Sequence, residues 1–352
     1  MNINFEKGKS KNRNRILFYS SLKDKKDFYT QGFYLTDIRI LENLGFKVKL
    51  SNHWYDFLLN SKYDICFIYF YRYGLIPGFI GRVFGKMVLF TGGIDNLEPE
   101  YASRWELLVQ RILFILCDFC SNVNIIVSTS DKNNIQLFKD IRFADKYPLS
   151  FHVIDYEKYE YLNDIKKEKI FVTIAWMITE ANTLRKGIDK AVRVFEKVYR
   201  KDAGYKMVII GVTGDGTEII KNLITEYQLE NQIVFTGRIP ENEKISILKR
   251  SKIYIQLSSY EGFGIGAVEA LAAGCIVIHS GKGGLKDGIA DNGIEVIDVN
   301  DYDEICNKIL SLDENSCNEL IAKGIQHVKT NFKYEKRLKD FSNIFNNFKE
   351  SN

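Results

Sequence analysis

The sequence lacks the features that mark several classes of protein. A net charge of only +4 over 352 residues argues against a dedicated nucleic-acid binder, which needs a strongly basic surface. No uninterrupted apolar stretch reaches the ~18–20 residues of a membrane-spanning helix. The polar and basic beginning, MNINFEKGKSKNRNR, carries no signal-peptide pattern. We therefore expect a cytoplasmic protein that has no nucleic-acid partner.

Metal-binding patterns are equally scarce. The histidines are scattered along the chain, at His53, His152, His279 and His327. Cys117 and Cys120 form a lone CxxC in a very apolar run, and we interpret the six cysteines as reduced thiols, most of them in the core. Asp301-Tyr302-Asp303 is a DxD sequence, but it opens a helical pattern, where Asp serves as a helix cap. The sequence therefore predicts no bound metal.

A regular alternation of apolar strands and amphipathic helices runs along the chain. Five strand patterns precede a charged segment, Tyr156 to Glu168, which is interpreted as a linker between domains. Further strand patterns follow, beginning with IFVTIAW at Ile170. This alternation predicts an α/β protein with parallel sheets covered by helices on both faces. Ligands of such sheets collect at the carboxyl ends of the strands.

The chain is organised around SSYEGFGIGAVEALAAG, from Ser258 to Gly274. A helix should begin near Gly264 and leave the amides of residues 263–267 unpaired, which favours an anion such as phosphate. Glu261 in the turn and Glu269 in the helix are placed to accept hydrogen bonds from sugar or ribose hydroxyls. The alternative from pattern alone is an ordinary strand–turn–helix unit with two solvated glutamates.

This stretch resembles the donor-site signature of retaining GT-B glycosyltransferases, a Glu, seven residues and a second Glu, here E-GFGIGAV-E, followed by A-hydrophobic-A-x-G. The resemblance implies the GT-B fold, an α/β architecture of two Rossmann-like domains facing each other across a cleft. It implies an acceptor domain over residues 1–165 and a nucleotide-sugar donor domain over 166–330. Residues 331–352 would be a helix that crosses back to the first domain.

The resemblance also implies roles for individual residues. Glu269 would accept from the nucleotide ribose, Glu261 would reach the donor sugar, and Lys186 of the L-R-K-G sequence would meet the diphosphate. Trp176 stands near the place of an Arg that usually shares this task, so Arg185 is the candidate to replace it. The alternative for Arg185 and Lys186 is a solvated loop pair. Backbone amides that would meet sugar and phosphate belong to Phe263, Gly264, Ile265 and Gly266.

Four further positions are implied by the resemblance alone. Arg238 and Ile239 follow the QIVFTG strand, where the nucleotide base lies in the family, and Gly32 lies in a loop that approaches the phosphates. Asp95, in TGGID, stands near the place of a sugar-binding His. The alternative for Asp95 is a helix cap or turn residue.

The function implied is retaining, metal-independent transfer of a hexose or N-acetylhexosamine from a UDP- or GDP-linked sugar, without a further cofactor. The acceptor would be a glycan or a lipid-linked sugar in the synthesis of a bacterial surface polysaccharide. Two alternatives stay open, a non-catalytic glycosyltransferase-like binding subunit and a sugar-nucleotide epimerase of the same fold.

Two apolar segments with scattered basic residues, 75–90 and 105–120, have two interpretations. They are either core helices or a face that rests on the inner surface of the cell membrane. The basic cluster Lys7, Lys9, Lys11, Arg13 and Arg15 would assist such contact through anionic lipid, or is a solvated tail.

Overall fold

The structure, a computed structural model, describes residues 14–59, 62–94, 97–142, 145–162 and 165–350, with side chains through residue 347. Four basic positions of the N-terminal cluster therefore lie outside the described residues. The chain divides into two compact units. The first comprises residues 1–92, 112–125 and 143–148, and the second comprises 93–111, 126–142 and 149–352.

The first unit contains a parallel sheet of five strands in the order β2-β1-β3-β4-β5. Its strands are β1 (Arg15–Tyr19), β2 (Lys47–Ser51), β3 (Ile65–Tyr69), β4 (Met87–Thr91) and β5 (Val123–Ile125). Strands β3 and β4 are buried at every position, which is the mark of a parallel sheet covered on both faces. The predicted parallel arrangement is confirmed.

The first seven helices are mostly short. They are α1 (Asp27–Thr30), α2 (Gly32–Asn43), α3 (Asp56–Leu59), α4 (Tyr71–Val83), α5 (Arg104–Cys120), α6 (Thr129–Gln136) and α7 (Tyr156–Tyr159). Helix α2 ends as predicted, with Gly45 in the left-handed region at φ 86°. Among these helices and the later ones, none that the structure describes is long and apolar enough to cross a membrane.

The second unit contains a parallel sheet of six strands in the order β11-β10-β9-β6-β7-β8. Its strands are β6 (Glu168–Ile174), β7 (Lys206–Ile210), β8 (Ile233–Gly237), β9 (Ser251–Gln256), β10 (Ile276–His279) and β11 (Ile294–Glu295). Because the chain leaves β6 toward β7 and later returns to β9 on its other side, β6 and β9 flank a topological switch point. Open α/β sheets bind ligands at this place.

Helices cover both faces of this sheet. The helices that follow β6 along the chain are α8 (Glu180–Arg185), α9 (Ile188–Lys201), α10 (Gly216–Glu226), α11 (Glu241–Arg250), α12 (Ile265–Ala272), α13 (Leu285–Ile289), α14 (Tyr302–Leu310), α15 (Glu314–Asn331) and α16 (Tyr334–Glu350). Strand side chains alternate between two cores. Phe171 packs into the core under α9, and the next residue, Val172, packs into the core under α12. Asp301 caps α14 by accepting from the amide of Glu304 at 2.9 Å, as predicted.

The segment interpreted as a linker is folded onto the second unit, which corrects that interpretation. Tyr156 and Tyr159 are buried in the core under α12. The amide of Tyr161 donates to the carbonyl of Ala272 at 3.1 Å, and Lys167 Nζ donates to Ala273 at 2.6 Å. The segment is rich in charged residues, but the rings of its tyrosines supply apolar area that packs into the core. Its charged composition therefore does not predict how deeply the segment is buried.

Candidate functional site

The turn between β9 and α12 forms the centre of the candidate site. It lies at the switch point and begins α12 as predicted, with Gly264 at φ 84° where a left-handed residue is required. The Tyr260 hydroxyl donates to the buried carboxylate of Asp131 at 2.6 Å. The amide of Gly284 donates to the carbonyl of Glu261 at 2.7 Å. The turn is therefore fixed from two sides before any ligand binds.

The first amides of α12 point out of the helix without carbonyl partners. Among the described residues, no backbone carbonyl accepts from the amides of residues 263–266. The amide of Ala267 differs from the prediction, because it donates to the carbonyl of Gly264 at 2.9 Å in a tight first turn. The run of amides without carbonyl partners is thus one residue shorter than the sequence indicates.

Glu261 is buried and accepts hydrogen bonds from three side chains. Its carboxylate accepts from Lys186 Nζ at 2.6 and 2.7 Å, from Gln256 Nε2 at 2.7 Å and from Ser258 Oγ at 2.9 Å. Burial alone would raise the pKa of Glu261, but the positive charges of Lys186 and Arg185 outweigh it and hold this pKa below its ordinary value. Glu261 is therefore an ionised acceptor at neutral pH.

Lys186 and Arg185 reach the same turn from the end of α8. Arg185 Nη1 donates to the carbonyl of Tyr260 at 3.0 Å. The amide of Ser259 donates back to the carbonyl of Arg185 at 2.8 Å. Gly187 makes this approach possible, because it has φ 66° and a Cβ there would overlap the carbonyl oxygen of Leu257. The structure thus brings both basic residues beside Glu261.

Glu269 has a different set of partners. It accepts from Lys244 Nζ at 2.8 and 2.9 Å and lies 2.9 Å from the Tyr159 hydroxyl. That hydroxyl also contacts Glu241, whose carboxylate lies 3.1 Å from Lys244 Nζ. Burial raises the pKa of Glu269, and the Glu241 charge adds to it against the opposing charge of Lys244. The same two carboxylates raise the pKa of Lys244 in spite of its burial.

Several residues of this site were not identified from the sequence. Lys244 stands three residues before Ile247 and four before Leu248, the buried residues of α11, so helical spacing places it on the inner face. Tyr156 and Tyr159 stand three apart in the same way. Gln256 and Ser258 stand in and just after a buried strand, where a polar residue is a signal of function. The spacing of these residues along the chain is visible in the sequence, but the side chains that they contact are not.

The other predicted residues are placed as follows. Phe263 points its ring into the core beside Phe332, with 5.4 Å between ring centroids, so only its backbone is available to a ligand. Arg238 is exposed after β8, and Ile239 packs against the core under α12. Gly32 is the first residue of α2 in the first unit. Asp95 lies outside the described residues. Trp176, which the resemblance puts near the place of the expected Arg, is 42% exposed.

Comparison with solved structures identifies the fold of this chain. Sucrose-phosphate synthase from Thermosynechococcus elongatus matches 97% of this chain and 100% of its own, with a TM-score of 0.78 at 15% identity. Anabaena HepE, solved in complex with UDP and glucose, matches 95% of this chain and 99% of its own, with a TM-score of 0.74 at 14% identity. The fold is GT-B. The prediction of this fold is confirmed.

Sequence comparison of this GT-B protein finds relatives that are named as glycosyltransferases. The family described as "Glycosyl transferases group 1" matches residues 163–327, which include Lys186, Glu261 and Glu269. An uncharacterized glycosyltransferase of Methanocaldococcus jannaschii is 28% identical over 263 residues, 71% of this chain and 64% of that protein. O-antigen chain mannosyltransferase B of Escherichia coli is 29% identical over 127 residues, 36% of this chain and 33% of that protein. The matches span less than two thirds of these relatives' lengths.

Proposed function

We propose that this protein is a retaining, metal-independent glycosyltransferase that moves a hexose or N-acetylhexosamine from a UDP- or GDP-sugar to a glycan or lipid-linked acceptor. The observation that carries the proposal is the arrangement around the start of α12. Two buried carboxylates, Glu261 and Glu269, flank four amides without carbonyl partners in the described part of the chain. Lys186 and Arg185 stand beside the first carboxylate.

Each part of this arrangement suits one part of a nucleotide-sugar. The amides of residues 263–266 and the cations of Lys186 and Arg185 offer hydrogen bonds and positive charge to the diphosphate. The charge that develops on a leaving diphosphate is greatest in the transition state, so these groups would lower the barrier itself. The ionised Glu261 would accept from a sugar hydroxyl, and Glu269 from the ribose hydroxyls.

Relatives support the donor and acceptor classes. HepE is solved with UDP and glucose, and the Escherichia coli relative is an O-antigen chain mannosyltransferase. We therefore propose UDP-glucose and GDP-mannose as the first donors to examine, and surface polysaccharide synthesis as the setting. The described cysteines are all free and buried, which supports a reducing, cytoplasmic location.

The experiment is a donor panel on the purified chain, with nucleotide release and thermal shift as separate readouts. One UDP- or GDP-sugar should raise the melting temperature and release nucleotide. Glu269→Ala should lose both responses, whereas Glu226→Ala, which removes an exposed glutamate of α10, should keep them. Donor-dependent release that Glu269→Ala leaves unchanged would refute the proposed site.

A second candidate function is donor binding without transfer. Trp176 stands near the place of the family's Arg, so the proposed diphosphate site would have one cation fewer. In that case a donor raises the melting temperature through Glu269, but no nucleotide is released with any acceptor. Appearance of an epimerised donor in the same samples would instead indicate epimerase activity.

A further inference from the structure

Helix α4 of the first unit is inverted with respect to an ordinary amphipathic helix. Its inward face is made largely of Gly74, Gly78 and Gly81, which are buried. A Cβ on Gly74 would lie 2.5 Å from Phe90, and one on Gly81 would lie 2.5 Å from Cys66 Sγ. The glycines therefore let the helix lie directly on β3 and β4, and the core has no room for larger side chains there.

The large apolar residues of α4 face outward instead. Tyr73, Ile76, Phe79 and Val83 are 55–64% exposed, and Phe84, just beyond the helix, is 55% exposed. Their spacing of three and four residues gathers them on one side of the helix. A surface helix of a globular protein normally shows the reverse order, with large apolar residues inward and polar residues outward.

The neighbouring helix α5 carries a second exposed apolar stripe. In its part that belongs to the first unit, Phe114, Cys117 and Cys120 are buried. On its other side, the residues that are 43–78% exposed are Ile112, Ile115, Leu116 and Phe119. The two interpretations of these segments from the sequence are thus not exclusive, because each helix has a core face and a free apolar face.

The two stripes lie side by side. Helix α4 connects β3 to β4 and α5 connects β4 to β5, so right-handed crossovers place both on the same face of the sheet. Contacts confirm that they are neighbours. The rings of Tyr71 and Phe114 have centroids 5.0 Å apart, and Cys117 Sγ lies 3.5 Å from the carbonyl of Tyr71. Both outward faces therefore belong to one broad apolar surface.

The exposed charged residues within α4 and within residues 112–120 have a single sign. Within α4 and residues 112–120, all of which are described, Arg72 and Arg82 are exposed. The acidic residue of these segments, Asp118, is 2% exposed and is paired with Lys146 at 3.0 Å. An apolar face with basic flanks complements a bilayer with anionic headgroups.

We propose that the outward faces of α4 and residues 112–120 form a docking surface for an anionic lipid bilayer. A second copy of this chain fits less well, because pairing through this face would bring Arg72 and Arg82 toward the arginines of the other copy. No described helix spans a membrane, so the contact is peripheral. The proposal does not depend on transferase activity, since it uses no residue of the candidate site.

The test is co-sedimentation of the full chain with vesicles of phosphatidylcholine, with and without phosphatidylglycerol. The wild-type protein should sediment with the anionic vesicles. The double variant Phe79→Ser/Phe119→Ser should partition at least ~tenfold more weakly, because two exposed rings no longer enter the interface. Arg72→Gln/Arg82→Gln should lose about fivefold per arginine on anionic vesicles alone.

The matched control is Val234→Ser/Ile297→Ser, which removes two apolar side chains that are 55% and 90% exposed in the second unit. This variant should sediment like the wild type. Melting by circular dichroism should show all three variants folded. Three results would overturn the proposal: no sedimentation of the wild type, sedimentation that the aromatic pair leaves unchanged, or a dimer in solution that this pair dissociates without any vesicle binding.

Discussion

Glu261 and Glu269 lie in one stretch of chain and are both almost completely buried, yet their surroundings are opposite. Glu261 faces two cations and two neutral donors, and its pKa is lowered. Glu269 faces one cation that is shared with a second acid, Glu241, and its pKa is raised. The spacing of the two glutamates fixes where they lie, but residues from other elements decide their charge.

Because of this difference, the two carboxylates differ in their capacity to accept further hydrogen bonds. The Glu261 carboxylate is stabilised as an anion and keeps Lys186 in place at the turn, so this part of the site is assembled in advance. The group formed by Glu269, Glu241 and Lys244 carries two acids and one base, so it has accepting capacity left for the hydroxyls of a ligand. Substitutions around the two glutamates should therefore change the free energy of unfolding by different amounts, and the pH dependences of the two glutamates should have opposite signs.

The largest effect is expected for Lys186→Met. It leaves the buried Glu261 without its ion-pair partner, which typically costs about 3–5 kcal/mol of unfolding free energy. Urea denaturation measures this loss, and donor thermal shift should disappear as well. Lys323→Met, on an exposed lysine of α15, is the control and should change stability by less than about 0.5 kcal/mol. A loss no larger than in this control would show that the pair does not stabilise the turn.

A smaller effect is expected for Lys244→Met, about 1–3 kcal/mol. Glu269 already has a raised pKa and keeps Tyr159 as a donor, so it can take up a proton and relieve the unpaired charge. The double variant Lys244→Met/Glu269→Gln should therefore be more stable than the sum of the single losses, as a double-mutant cycle by urea denaturation would show. Strict additivity would mean that the two side chains are not coupled.

The smallest effect is the pH dependence, and it should have opposite signs at the two glutamates. Glu261 has a folded-state pKa below its ordinary 4.5, so it contributes stability that is present above pH 4.5 and is lost as the pH falls through the folded pKa. Glu269 has a folded-state pKa above 4.5, so its contribution is lost as the pH rises from 4.5 through that value.

Subtraction of each Glu→Gln variant from the wild type isolates these contributions. The difference in unfolding free energy should rise with pH for Glu261→Gln and fall with pH for Glu269→Gln, each by about 1.4 kcal/mol for a pKa displaced by one pH unit. Equal slopes at both positions would contradict the opposite environments that the structure gives them.

The fold followed from the sequence because its signals are local. Strand patterns, the glycine at the end of α2 and the start of α12 near Gly264 each depend on a few neighbouring residues. The partners of the two glutamates depend on contacts between distant elements, such as the 110 positions between Tyr159 and Glu269. No local pattern carries that information.

Two predictions that the structure corrects show what a sequence pattern cannot determine. The segment around Tyr159 has the charge of a linker, but its rings are buried and its charged ends remain at the surface. The amide of Ala267 was expected to be unpaired, but the left-handed Gly264 tightens the first turn and offers its carbonyl. In both cases the sequence gives the residue type, and three-dimensional packing decides its partner.

The folding of residues 149–162 onto the second unit has a consequence for modular exchange between relatives. The second unit also includes residues 93–111 and 126–142, and Asp131 from the latter segment holds Tyr260 of the turn. A chimera joined near residue 165 would take most of the second unit from one parent, but Asp131 and Tyr159 from the other. Exchange of the second unit between relatives therefore requires these earlier segments to be transferred with it.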